Sequence, residues 1–144
     1  MVNNGFTNYW INKILDHIFG LASYTAETPL YIGLCSGAVG ADGTITGEPA
    51  DVNNYARCFY GTTSTNWNNA TTLHVKNKVN FTFNVATGSW AGGSALTNFF
   101  ISTSATTNTN TVAYGGLQNS KIIGTGDTAS FAIGDLDVTM TNST

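Results

Sequence analysis

The sequence has little charge. Asp, Glu, Lys and Arg together make up 9% of its 144 residues, against about 25% in a typical soluble domain. The five Lys and Arg residues are too few to form the basic stripe that neutralises phosphates, which argues against a nucleic-acid partner. The net charge of −3 also gives identical chains little mutual repulsion, so the composition favours self-association.

Long apolar runs and metal-ligand spacings are absent as well. No run approaches the roughly 20 apolar residues that span a bilayer, so we expect no membrane insertion. The two cysteines, Cys35 and Cys58, lie in separate apolar segments without a CxxC pair, and the sequence leaves open whether they form a disulfide. With only two histidines, His17 and His74, the sequence predicts no metal site.

The signatures of catalysis are also missing. The sequence contains no GxSxG elbow, P-loop or HExxH motif, and its eight carboxylates fall mainly in loops or on the polar side of a helix. Asp135 and Asp137 would face the same side of a strand, but two carboxylates fall well short of the six to eight ligands that calcium takes. We therefore predict no catalytic residue, no cofactor and no enzymatic activity.

The commonest polar residues indicate a β protein. The chain has 23 Thr, 17 Asn and 16 Gly; β-branched Thr suits strands, whereas Asn and Gly suit turns. After Pro29 the apolar residues alternate, which predicts short strands separated by turns. The predicted strands are 29–36, 55–60, 73–85 (one strand, or two that meet near Asn77), 96–103, 111–117, 119–123, 128–133 and 136–141. This pattern predicts one domain over 1–144, with an antiparallel β-sandwich of jelly-roll type at 29–141.

The N-terminal segment differs from the rest, because its apolar residues recur at helical spacing. Trp10, Ile14 and Ile18 follow one another every four residues, which predicts one amphipathic α-helix over 6–20. The apolar face of this helix is too broad to be left in water. It is therefore expected to pack on the rest of the domain or on a neighbouring chain.

Residues at both ends of this segment suit helix boundaries. Thr7 is expected to cap the first turn with its side chain, and Phe6 with Ile11 to form a hydrophobic staple across it. Gly20 suits the left-handed position that ends a helix.

Two tryptophans lie in turn-rich segments. Trp67 stands among Ser, Thr and Asn, and Trp90 among Gly, Ser and Ala. Aromatic side chains in such places either close the end of a sandwich or a subunit interface, or stack on sugar rings. The residues alone therefore leave two functions open, a structural subunit and a carbohydrate-binding module that recognises host surface glycans.

Several short segments, taken in order, carry a resemblance to a known family. They are the opening helix YWINKILDHIFG, the strand PLYIGLCSG with the following GEPAD loop, YAR, NWNNAT, VNFTFNVATGSW, AYGGL and GDTASFAIGDLDVTM. No single segment is specific, but their ordered sum, over most of the chain, resembles small bacteriophage virion proteins that are usually described as tail-fibre-like. The chain departs from that pattern at Ala91 to Ser94, and at Cys35, where Ser is common.

The resemblance implies a non-enzymatic structural protein on the surface of the phage particle. Such a protein would be a tail-fibre-like or baseplate component or a capsid decoration protein, expected as a homotrimer that docks on other virion proteins. The helix would be the docking element, through Tyr9, Trp10, Ile14, Ile18 and Phe19. The loops at 37–54 and 104–110 would face outward or contact a neighbour, and Trp67 and Trp90 would serve an interface or a ligand.

Overall fold

The computed structural model describes residues 5–50, 52–108 and 110–140. Within these ranges the chain forms one α-helix and nine mostly short strands. In chain order they are β1 (Gly5–Phe6), α1 (Asn8–Ile18), β2 (Tyr31–Cys35), β3 (Cys58–Phe59), β4 (His74–Lys76), β5 (Phe81–Thr82), β6 (Leu96–Ser102), β7 (Thr111–Lys121), β8 (Ser130–Phe131) and β9 (Asp137–Thr139).

Strand β6 lies at the centre of a five-stranded sheet. The strand order is β1-β7-β6-β2-β3, and each neighbouring pair is antiparallel. Ile101 of β6 lies opposite Ile32 of β2 and Ala113 of β7, so one apolar row crosses three strands. Gly33 of β2 makes room for a ring on its neighbour, because a Cβ on Gly33 would stand 2.1 Å from Cζ of Phe100. A larger residue at Gly33 would require the buried Phe100 ring to move.

The four remaining strands form two short antiparallel pairs, β4 with β9 and β5 with β8. The mainly β fold, with an antiparallel sheet and one N-terminal helix, is thus confirmed. The jelly-roll detail is not confirmed, because the two pairs are not joined into a second continuous sheet within the described ranges.

Asn77 separates β4 from β5. Its buried side chain donates hydrogen bonds to the carbonyls of Val79 (2.9 Å) and Ala132 (2.7 Å), and it accepts one from the N–H of Leu136 (2.9 Å). A buried amide that is satisfied in this way fixes the backbone locally, so the chain turns at Asn77 instead of continuing. The segment 73–85 therefore contains two strands, which is one of the two alternatives that the sequence left open.

Apolar side chains fill both faces of the central sheet. Phe100 and Ile101 are adjacent in β6 and belong to different clusters, as the alternation of a strand requires. The larger cluster also contains side chains from the two short pairs. The smaller cluster includes Val39 and Ile45. These two residues pair in an antiparallel bridge within a loop whose ends, Ser36 and Gly47, are also joined by a backbone hydrogen bond. The apolar side chains of this part of the loop 37–54 therefore pack on the sheet, and whether the rest of the loop faces outward or contacts a neighbour stays a prediction.

Several predicted boundaries are wrong. The segments 111–117 and 119–123 are one strand, β7, with an irregular register against β6. The helix is shorter than 6–20, because Phe6 pairs with Ala113 in strand β1. A two-residue strand is too short to produce an alternating pattern, so the sequence held no signal for it.

Other predicted strands are shorter in the structure. The segments 55–60 and 128–133 retain two strand residues each. The segment 136–141 is a strand only at Asp137–Thr139, and its last residue, Thr141, lies outside the described residues. Residues 51 and 109, within the loops predicted to face outward, also lie outside them.

Candidate functional site

Helix α1 has an apolar face that the rest of the chain leaves exposed. Ile11, Leu15 and Ile18 are four and three residues apart and share one side of the helix, and all three are exposed. Exposure is highest at the C-terminal end, where Ile18 is 67% exposed, Phe19 72% and Leu21 76%. We call these last three residues the apolar tip. A continuous exposed apolar patch, unlike a scattered exposed residue, marks an interaction site.

Hydrogen bonds hold the end of the helix in a defined shape. The N–H of Leu21 donates to the carbonyl of Asp16 at 2.8 Å, and the N–H of Gly20 donates to the carbonyl of His17 at 3.2 Å. These are the two bonds of a Schellman motif. Gly20 has a φ of 69°, so its predicted role in ending the helix is confirmed. The tip is therefore presented by a hydrogen-bonded turn.

The other end of the helix is fastened to the sheet. Thr7 is fully buried, and its N–H donates to the carbonyl of Val112 at 3.0 Å. Its hydroxyl donates to the carbonyl of Thr111 and makes no hydrogen bond to the helix, so the predicted side-chain cap is wrong. The N–H of Asn8 is satisfied by the carbonyl of Ala41 at 2.8 Å instead. The helix is thus anchored at its start and projects at its end.

The polar side of the helix binds the segment that follows it. Lys13 forms an ion pair with Glu27, and the hydroxyl of Tyr9 donates to the same carboxylate at 3.0 Å. The hydrogen bond from Lys13 lowers the pKa of the Glu27 carboxyl, and the bond to Glu27 raises the pKa of Lys13. Of the predicted docking residues, Tyr9 therefore has its polar group engaged within its own chain.

Trp10 and Ile14, two further predicted docking residues, line an apolar groove. This groove has a volume of about 750 Å³ and lies between α1 and the β4–β9 pair. Its opposite side is formed by residues that include Trp67, Leu73 and Met140, and Leu73 and Met140 are both exposed. None of its lining residues, among those described, has an ionisable side chain. We call this feature the apolar groove; it brings Trp67 together with the helix residues.

The two tryptophans from turn-rich segments have different surroundings. Trp90 is 1% exposed, and its indole N–H donates to the carbonyl of Asn53 at 3.0 Å. It is a core residue and is not accessible to a sugar ring. Trp67 is half-buried and packs edge-on against Phe81, with ring centroids 5.2 Å apart.

A buried ion pair, which the sequence did not predict, joins two of the quoted segments. Arg57 of YAR binds Glu48 of GEPAD through two parallel hydrogen bonds, Nε to Oε1 at 2.7 Å and Nη2 to Oε2 at 2.6 Å. The Arg57 side chain is 1% exposed. The hydroxyl of Tyr55 donates to the same carboxylate at 3.0 Å, and burial raises the pKa of this tyrosine. We call Glu48 and Arg57 the clamp.

The remaining donors of Arg57 hold the loop that follows β6. Its Nη1 donates to the carbonyls of Ser104 (2.8 Å) and Thr107 (2.9 Å), and its Nη2 donates to Oδ1 of Asn108 (2.7 Å). The guanidinium also lies 4.7 Å from the ring centre of Phe100. Since the guanidinium is enclosed by its own chain, the clamp stabilises the fold and offers no group to a ligand. A lone Arg nine residues after a Glu is too weak a signal to reveal this pairing.

His74 and Asp137 meet across β4 and β9. The Nδ1 atom of His74 lies 2.9 Å from Oδ1 of Asp137 and 3.1 Å from the hydroxyl of Thr139. A catalytic triad needs the acid and the nucleophile on opposite ring nitrogens, whereas here both are on Nδ1. Lys76 also pairs with Asp137 at 3.2 Å. The cluster is a solvated charge group on the strand surface.

The structure assigns no redox, metal or membrane feature to the described residues. Cys35 and Cys58 are free and buried there, and burial raises the pKa of each thiol to about 12. The described residues contain no group of three or more His, Cys, Asp or Glu side chains that could hold a metal ion. Within the same ranges, no helix has the length and apolar character that crossing a membrane requires.

One protein-family model matches the chain. The family is described as podophage GP4 fiber I protein gp80, and the match covers residues 5–139. None of the curated proteins matches the chain.

Proposed function

Since the chain belongs to the podophage GP4 fiber I protein gp80 family, a family of phage fiber structural proteins, we propose that it acts by assembling with copies of itself through helix α1. The resulting homo-oligomer, a homotrimer as the family resemblance implies, docks on other virion proteins at the particle surface. The activity is structural and needs no catalytic group.

The observation that carries this proposal is the exposed apolar face of α1. Full burial of a large apolar side chain contributes about 1.5–3 kcal/mol, and the apolar tip alone holds three such residues, Ile18, Phe19 and Leu21. Association costs several kcal/mol in lost translational and rotational freedom, so a few well-buried anchors are needed. The tip and the neighbouring Ile11 and Leu15 supply them on one side of one helix.

The test is the oligomeric state of variants that remove this apolar surface. We expect the natural chain to form an oligomer in light scattering or sedimentation at micromolar concentration. The change Ile18→Ser with Phe19→Ser should shift it to the monomer, because the tip then loses its apolar contacts. The matched control is Ile133→Ser, since Ile133 is 64% exposed but lies outside α1. A natural chain that stays monomeric would contradict the proposal.

A carbohydrate-binding function has less support. Trp90 is buried and presents no free face that could stack on a sugar. Trp67 is half-buried and makes an edge contact with Phe81. Most of the described side chains that line the apolar groove beside Trp67 are apolar, which favours an apolar protein segment as its occupant.

A further inference from the structure

Two exposed apolar features of the described chain differ in form. The apolar tip stands at the end of α1, where Ile18, Phe19 and Leu21 are each more than half exposed. The apolar groove is a concave surface lined by Trp10 on the helix side and by Leu73 on the other. A contact of tip against tip, or of groove against groove, would leave one of the two features uncovered.

The tip cannot fill the groove of its own chain. Helix α1 forms one wall of that groove through Trp10 and Ile14. Ile18 lies eight residues beyond Trp10, which is about 12 Å along a helix that rises about 1.5 Å per residue. The Schellman turn after Ile18 also directs the chain away from a continued helix. A tip that occupies the groove must therefore belong to another molecule.

The charges indicate that a second copy of this chain is a suitable occupant. No residue from Ile18 to Ala22 is ionisable, and the described lining of the groove has no ionisable side chain either. The charged side chains that give the chain its net charge of −3 therefore lie outside both the tip and the described lining of the groove. Two identical chains can bring tip and groove together without placing like charges in contact, and without leaving a charge unpaired in the interface.

From these features we propose that the apolar tip of one copy occupies the apolar groove of the next copy. The tip is already shaped by its hydrogen-bonded turn, so little conformational freedom is lost on docking. Each subunit is then a donor on one side and an acceptor on the other. Such a head-to-tail contact closes into a ring or continues as a row. This inference rests on the proposed function, and it names the surface that receives the helix.

Site-directed crosslinking tests the contact. One tagged variant carries Ile18→Cys in the tip, a second variant of different size carries Leu73→Cys in the groove, and the two are produced together. A short bismaleimide reagent is added, and the products are separated on a denaturing gel. The expected result is a mixed product of the two variants. Cys35 and Cys58 are buried, with thiol pKa values raised to about 12, so the natural chain should not react.

The matched control replaces the tip variant by Ile133→Cys, which is 64% exposed and should give no mixed product with Leu73→Cys. Crosslinking of the Ile18→Cys variant to itself would overturn the inference, because it would show a symmetric contact between helices. An oligomer that yields no mixed product would overturn it as well. A chain that is monomeric in light scattering would instead contradict the proposed function, and the inference would fail with it.

Discussion

The clamp and the apolar tip reverse the usual distribution of residues between core and surface. The Arg57 side chain belongs to the only Arg in the sequence and is 1% exposed, whereas Phe19 at the tip is 72% exposed. The free-energy cost of burying the Arg57 charge is offset because Glu48 and the loop after β6 accept hydrogen bonds from its guanidinium. Nothing within the described chain covers the tip to a comparable degree.

The difference teaches where each region finds its partner. All the groups that compensate the charge of the clamp come from the same chain, so the clamp is complete when one chain has folded. The tip has its hydrogen bonds, but the described chain leaves its apolar side chains exposed. Under the proposed function a second copy covers them, so the ion pair would serve folding and the exposed apolar group would serve assembly.

The largest expected effect comes from breaking the clamp. The change Arg57→Met leaves the Glu48 carboxylate in the fold without its charge partner, and we expect the free energy of unfolding to fall by about 3–5 kcal/mol. Urea unfolding followed by circular dichroism measures this loss. The control is the double change Glu48→Gln with Arg57→Met, which removes both charges and should recover part of the stability. A single variant as stable as the double variant would contradict the role of charge.

A smaller effect is expected at the joint between the sheet and the helix. The change Thr7→Val keeps the shape of the buried side chain but leaves the carbonyl of Thr111 without this hydroxyl donor. We expect a loss of about 1–3 kcal/mol, and faster amide hydrogen exchange in α1. Thr7→Ser retains the hydroxyl and is the control. If Thr7→Ser costs as much as Thr7→Val, the hydrogen bond is not the anchor.

The smallest effect concerns the partly exposed ion pair on the polar side of α1. Because hydrogen bonding from Lys13 lowers the pKa of Glu27 below its ordinary value of 4.5, the pair stabilises the fold above that pH and loses its effect as the pH falls through the lowered pKa. Glu27→Gln should therefore cost about 0.2–1 kcal/mol at pH 7, as partly exposed pairs do. The difference should shrink as the pH falls below 4.5. A series of unfolding curves from pH 7 downward measures it, and a difference that does not change with pH would contradict this assignment.

Features with a strong local pattern could be predicted from the sequence. The short run rich in apolar residues from Leu96 to Ser102 predicts strand β6, and Gly20 marks the end of the helix, because both signals depend on neighbouring residues only. The apolar face of α1 was recognised in the same way. Of the five predicted docking residues, Ile18 and Phe19 are exposed. The other three, Tyr9, Trp10 and Ile14, are half-buried, and the docking role of all five stays a prediction.

Features that depend on distant residues could not be predicted. The hydroxyl of Thr7 suits a helix cap, but it bonds to Thr111, because the tertiary partner competes with the local one. The groove combines Trp10 with Leu73 and Met140, which no local pattern brings together. Likewise, Asn77 looks like a polar residue between strand residues, and only its buried bonds to Ala132 and Leu136 reveal why the strand ends there.

The hydrogen bond that anchors the start of α1 to the sheet joins Thr7 and Thr111, residues that are 104 positions apart. During synthesis the N-terminal helix emerges first, whereas strand β7, to which it is anchored, emerges much later. Contacts between residues so far apart form late in folding. We therefore expect a partly synthesised chain to contain the apolar tip before strand β7 is available to anchor the start of α1. We expect the direction of the tip relative to the sheet to be fixed only once β7 is in place, because β7 supplies the carbonyl that binds Thr7.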